Sequence, residues 1–128
     1  MHASQGKIVF IVEENAEQAS AMSKALHEAG YSFMTASNVR DALFKLKNQK
    51  VSCIILDPLM GEGEERGESL INHIQGRKEI PNGDTPILII GTNLNKEILQ
   101  SLAGKIRGAL VKPFDMQTFI TQVKKVVE

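Results

Sequence analysis

The sequence predicts an α/β fold: five alternating strand and helix units, (βα)5, arranged as a three-layer sandwich around a parallel sheet of order 2-1-3-4-5. Three observations lead there. Short apolar runs without polar interruption recur along the chain, as strands buried on both faces require. Between them lie segments whose apolar residues repeat at helical spacing. Each run also stops abruptly at polar or turn residues. Five such pairs occupy the 128 residues as a single domain, 1–128, leaving no stretch for a linker or effector domain.

The first strand is Ile8–Val12, ending at Glu13, Glu14 and Asn15. Ala19, Met22, Ala25, Leu26 and Ala29 then share one helical stripe, and Gly30 follows where a left-handed cap is usual. Residues 33–36 form a weaker second strand. Val39, Ala42, Leu43 and Leu46 fall at i, i+3, i+4 and i+7, with Ser37 or Asn38 placed to cap that helix. Residues 51–56 are the third apolar run and stop at Asp57, and a Gly- and Glu-rich stretch over 61–68 precedes a stripe of Leu70, Ile71 and Ile74. Residues 79–86 hold two prolines and Asn82-Gly83, so they read as a loop into a fourth strand at 87–90. Ile98, Leu99, Leu102 and Ala103 mark the fourth helix, closed by Gly104. The fifth strand, 109–111, ends at Lys112-Pro113. Asp115 is a good cap for the last helix, whose stripe is Met116, Phe119, Ile120, Val123 and Val127, and Phe114 is placed to pack on Phe119 as a hydrophobic staple.

Composition narrows the function classes. Fifteen basic and fifteen acidic residues cancel, so there is no charge surplus of the kind that direct nucleic-acid binding needs. The single cysteine, Cys53, lies in an apolar run and reads as a small buried hydrophobe rather than a reactive thiol. Residues 1–7 lack an apolar signal region, and no later run approaches the ~20 apolar residues of a membrane span. The expectation is a cytoplasmic protein without membrane insertion.

The chemistry is expected beyond the carboxyl ends of the strands, where the strand order reverses between the first and third. The residues that follow those two strands are Glu13, Glu14 and Asp57. Three carboxylates brought together repel one another unless a cation neutralises them, and Mg2+ suits such oxygen ligands. A carboxylate can also accept a phosphoryl group as an acyl phosphate. Lys112 ends the fifth strand at the same edge, where its ammonium can pair with Asp57 or with a phosphoryl oxygen. Each residue has a plainer reading as well: Glu14 as a helix cap beside Asn15, Asp57 as the start of a turn at Pro58, Lys112 as a solvated lysine.

Nearly the whole chain resembles the receiver domains of two-component signalling, and of chemotaxis regulators among them, whose fold is flavodoxin-like. The resemblance is carried by IVEEN at 11–15, AGY at 29–31, IILD at 54–57, LVKPF at 110–114 and the Ala-Gly pair before the fifth strand. It implies a phosphorelay switch rather than an enzyme, self-phosphorylating and slowly autodephosphorylating at most. Asp57 would accept the phosphoryl group from a sensor histidine kinase or phosphotransfer protein. Glu13, Glu14, Asp57 and the backbone carbonyl of Leu59 would hold Mg2+. Lys112 would be the family's lysine, usually joined to its proline by a cis bond. A downstream protein and a homodimer through helix 4, strand 5 and helix 5 are the partners so implied.

Four positions depart from that family's pattern. Glu14 stands where Asp is usual, extending the carboxylate by roughly 1.5 Å. Gly91 stands where Thr or Ser would contact the phosphoryl group, and Thr92, the next residue, can substitute only if the chain bulges or turns there. Ala109 replaces the aromatic switch residue. The loop after Asp57 lacks the usual proline and carries Glu62, Glu64, Glu65 and Glu68. These departures keep open an alternative, a degenerate receiver-like module that acts by protein contact without stable phosphorylation. Other uses of similar folds fit poorly. EENAE after the first strand would repel the phosphate of FMN, Leu59 stands where an aspartate-nucleophile phosphatase needs a second Asp, and no GxxxxGK[ST] is present.

Overall fold

A computed structural model describes residues 6–128. Residues 1–5, part of the stretch read above as lacking a signal region, lie outside the described residues. The strands are Ile8–Val12 (β1), Ser32–Ala36 (β2), Cys53–Leu56 (β3), Ile87–Gly91 (β4) and Gly108–Val111 (β5). The helices are Ala16–Glu28 (α1), Val39–Asn48 (α2), Gly67–Ile74 (α3), Lys96–Ser101 (α4) and Met116–Val127 (α5), with a 3-10 turn at Gly63–Glu65. All strand pairs are parallel, in the order β2-β1-β3-β4-β5. This is the flavodoxin-like (βα)5 arrangement.

Side chains alternate across the sheet, so β1, β3 and β4 each feed two cores, and the edge strands β2 and β5 each feed one. Phe10, Val12, Ile54 and Ile89 pack with Ala42 and Leu46 of α2 and Leu70, Ile71 and Ile74 of α3. Val9, Ile11, Ile55 and Ile90 pack on the other face with Met22 and Leu26 of α1 and Phe119 and Val123 of α5. Each large side chain so buried contributes about 1.5–3 kcal/mol. Asn15, Asn38 and Asp115 cap α1, α2 and α5 through their side-chain oxygens, and the rings of Phe114 and Phe119 stack at 5.8 Å.

β3 begins at Cys53, two residues after the start of the run read over 51–56, and two further elements differ from expectation. β2 begins one residue early and is an edge strand whose Ser32 and Phe33 are exposed, which is why its apolar pattern is weak. Around the fourth helix, Leu99 and Ala103 of the expected stripe are exposed, and the apolar residues packed inward are Leu94 before the cap, Ile98 within the helix and Leu102 after it. The helix spans only six residues, capped by Asn95, so Leu102 and Ala103 fall beyond its end and the stripe does not continue as a regular helix would carry it.

The loop over 75–86 is more than a turn. Asn82 is 1 % exposed and its side chain makes four hydrogen bonds. Its Oδ1 accepts from the Val51 N–H and the Thr85 hydroxyl, both at 2.9 Å, and its Nδ2 donates to the carbonyls of Leu46 at 2.7 Å and Gln49 at 2.8 Å. These bonds hold the end of α2, the approach to β3 and the approach to β4 together.

Charge is unevenly distributed over this neutral chain. Two adjoining grooves at the amino ends of the strands, of about 440 and 520 Å3, are lined by Lys7, Lys50, Arg77, Lys78 and Arg107, with Asp84 their acidic residue. The carboxyl ends carry Glu13, Glu14 and Asp57, followed by the acidic 3-10 turn. Among the described residues, no helix is long and apolar enough to cross a membrane.

Candidate functional site

β1 and β3 are hydrogen-bonded neighbours, and the residues leaving their carboxyl ends enter the crevice where the order of strands reverses. Glu13 continues the ladder by donating its N–H to the Ala36 carbonyl at 2.9 Å. Its side chain is buried, 7 % of the residue being exposed, and both carboxylate oxygens are engaged. Oε1 accepts from Lys112 Nζ at 2.7 Å, and Oε2 accepts from the Asn15 N–H at 3.0 Å. Glu14 is exposed and lines a separate groove of about 350 Å3 with Asn38, Met60, Glu62 and Glu65. It does not cap α1, since Asn15 does so by accepting from the Gln18 N–H at 2.8 Å.

Asp57 is half-buried directly after β3. Oδ1 accepts from the Leu59 N–H at 2.8 Å, while Oδ2 accepts no hydrogen bond among the described residues. The Asp57 carbonyl accepts from Met60 at 3.1 Å, so the residue also starts a turn. α3 begins against it at Gly67, where a Cβ would lie 2.1 Å from the Asp57 carbonyl oxygen. Only glycine allows that approach, and the contact fixes the backbone that presents the carboxylate. Sequence reading passed over Gly67. Its one signal was a glycine at the junction of an acidic loop and an apolar stripe.

Gly91 ends β4 beside Asp57: a Cβ there would lie 3.2 Å from Asp57 Oδ1 and 3.1 Å from Leu94 Cδ2. Its carbonyl accepts from the Lys112 N–H at 2.8 Å, linking the acid to the lysine through the sheet. The β4–β5 register runs unbroken to Gly91 opposite Val111, so the ladder has no bulge there. Thr92 follows beyond the ladder, exposed and with no hydrogen bond from its hydroxyl among the described residues. The Lys112-Pro113 bond is cis. Lys112 pairs with Glu13 and not with Asp57. The physical reason is burial: the Glu13 carboxylate is 6 % exposed and needs a counter-charge, whereas Asp57 is more accessible and already satisfied on one oxygen by a backbone N–H.

The structure thus brings Glu13, Lys112, Asp57 and Gly91 to one edge, and leaves Glu14 and Thr92 outside. It does not fit a preformed divalent-ion site. No group of three His, Cys, Asp or Glu among the described residues is placed to hold a metal together, and the one buried acid is neutralised by the lysine.

A family model described as the response regulator receiver domain matches residues 9–124. Among solved structures, the chemotaxis response regulator CheY4 of Vibrio cholerae is 28% identical with a TM-score of 0.82, covering 94% of this chain and 98% of its own. A response regulator from Thermotoga maritima is 26% identical with a TM-score of 0.77, covering 94% and 97%. A signal receiver domain of a histidine kinase from Syntrophus aciditrophicus shares the fold at a TM-score of 0.80 and 24% identity, covering 95% and 90%. Among curated proteins none matches. With the strand order, the acid and lysine edge and a family match over nearly its whole length, the chain belongs to the response-regulator receiver domain family.

Proposed function

We propose that this receiver domain is a cytoplasmic phosphorylation switch of two-component signalling, and that Asp57 accepts the phosphoryl group from a histidine kinase or phosphotransfer protein. The observation that carries the reading is the state of the Asp57 carboxylate. One oxygen is fixed by the Leu59 N–H, and the other carries no hydrogen bond among the described residues. A nucleophile held in one orientation with a free oxygen is suited to in-line attack. That oxygen bonds to phosphorus as the bond to the donor imidazole breaks, leaving an acyl phosphate on Asp57. Lys112, which follows β5 and pairs with Glu13 at the same edge, would supply an ammonium to the phosphoryl oxygens. Receiver domains are signalling switches, and the proposed readout is a protein contact. The exposed apolar residues Leu99 and Val111, with Ala109 between β4 and solvent, favour the α4, β5 and α5 face for a downstream protein or a homodimer.

A second reading has its own support. Gly91 offers no hydroxyl, and Lys112 is already committed to Glu13, which suits a degenerate receiver that binds partners without stable phosphorylation. Intact-mass analysis after incubation with acetyl phosphate and Mg2+ separates the two. The wild type is expected to gain one phosphoryl group and Asp57→Asn none. If neither gains mass, and beryllofluoride with Mg2+ also fails to bind, the switch is abandoned in favour of the contact module.

A further inference from the structure

We propose that this domain docks head-to-tail on a second copy of itself, the basic groove at the amino ends of the strands taking the acidic 61–68 loop of the next molecule. The two grooves there share Lys50 and Asp84 and so form one continuous surface, which Arg107 lines in one part and Lys78 in the other. At the opposite end of the strands the loop carries Glu62, Glu64, Glu65 and Glu68, offset by Arg66, and residues 61–66 are all exposed. Ion pairs within the chain sort these charges. Asp84 takes Lys50, Glu79 takes Arg77 and Arg40 takes Glu65. The side chains of Lys78 and Arg107 in the groove, and of Glu62 and Glu64 on the loop, have neither a hydrogen bond nor an ion pair among the described residues. The charge left over is thus net positive in the groove and net negative on the loop, whereas Glu17, Lys24 and Glu28 along α1 are mixed in sign. A second copy supplies the complement of each end. The loop is also ordered in advance: Gly63–Glu65 form a 3-10 turn in which the Glu65 N–H donates to the Glu62 carbonyl at 3.0 Å, so docking orders little that is not already fixed. Because the groove and the loop lie at opposite ends of the strands, a two-fold axis cannot bring both into contact at once, and the contact is heterologous. Exposed ion pairs are individually weak and screened by salt, so the association belongs to low salt and high protein concentration. It does not rest on the phosphoryl reading of Asp57, and its test uses the unphosphorylated chain.

Sedimentation equilibrium at about 0.02 M salt, where the screening length is about 20 Å, reads the contact directly. The weight-average mass of the wild type is expected to rise above the 14.1 kDa of one chain as concentration climbs into the millimolar range, and to fall back on raising salt to about 0.15 M or more. Lys78→Gln with Arg107→Gln neutralises the groove, and Glu62→Gln with Glu64→Gln neutralises the loop. All four positions are exposed, so the core is untouched. Each double variant alone is expected to stay at 14.1 kDa. Mixed in equal amounts, the two are expected to approach twice that mass and go no further, because the intact loop of the first meets the intact groove of the second while the remaining ends are neutralised. The proposal is overturned if the wild type keeps the mass of one chain at every concentration, if either double variant associates as the wild type does, or if the mixture is no heavier than its parts. A wild type that stays monomeric while poly-glutamate or a DNA oligonucleotide shifts the Lys78 and Arg107 resonances would give the groove to another acidic partner, and would overturn it likewise.

Discussion

Asn82 and Cys53 are the residues whose surroundings set the firmest expectations. Replacing Asn82 by Ala strands the buried Val51 N–H and removes the donor to two carbonyls, so Asn82→Ala is expected to lower stability by about 3 kcal/mol in urea unfolding, with an unchanged m-value. Burial pushes the Cys53 thiol up to about 12. The folded protein binds that proton more tightly than the unfolded chain, so the contribution is present below pH 9.0, the ordinary thiol value, and is lost as pH rises towards 12. Cys53 is accordingly expected to resist iodoacetamide at neutral pH until urea unfolds the chain, with labelling read by mass. The candidate site was legible in the sequence only as far as chain order places its residues: Glu13, Asp57 and Lys112 each follow a strand. The pairing of Lys112 with Glu13 was not, because it depends on which of two carboxylates is the more deeply buried. Asn82 was read as turn chemistry, since nothing in Asn82-Gly83 reveals that the side chain turns inward.

At the scale of elements, the long helices were legible and the short one was not. α1, α2 and α5 each carry a cap and a stripe of several turns, and their packing faces follow from period alone. Asn15→Ala is expected to destabilise the domain by about 1 kcal/mol, measured by thermal melting, because it removes the acceptor for the Gln18 N–H. α4 gives too few turns for a period to register, so the irregular turn that buries Leu102 was read as a continuation of the helix. A paired test checks the observed register: Leu102→Ala is expected to cost about 2–5 kcal/mol, and Leu99→Ser to stay within about 0.5 kcal/mol. β2 was faint for a related reason, since an edge strand has no second sheet neighbour to demand apolar residues on both faces.

For the molecule as a whole, the strand order was legible because uninterrupted apolar runs require a covered parallel sheet, and right-handed crossovers leave few ways to cover one. The distribution of charge was not, because residues far apart in sequence, such as Lys7, Lys50 and Arg107, meet only when the strands align their amino ends. A formal net charge of zero therefore conceals an opposition between a basic and an acidic end. At low salt and near pH 6.8, the protein is expected to be retained by both cation- and anion-exchange resins, and to leave both by about 0.15 M salt, where the screening length falls to about 8 Å. The same opposition gives the domain an electric dipole along its strands. A basic surface approaching through solvent exerts a torque on that dipole and turns the Asp57 end foremost, so encounters begin already oriented even though no net attraction draws the two bodies together.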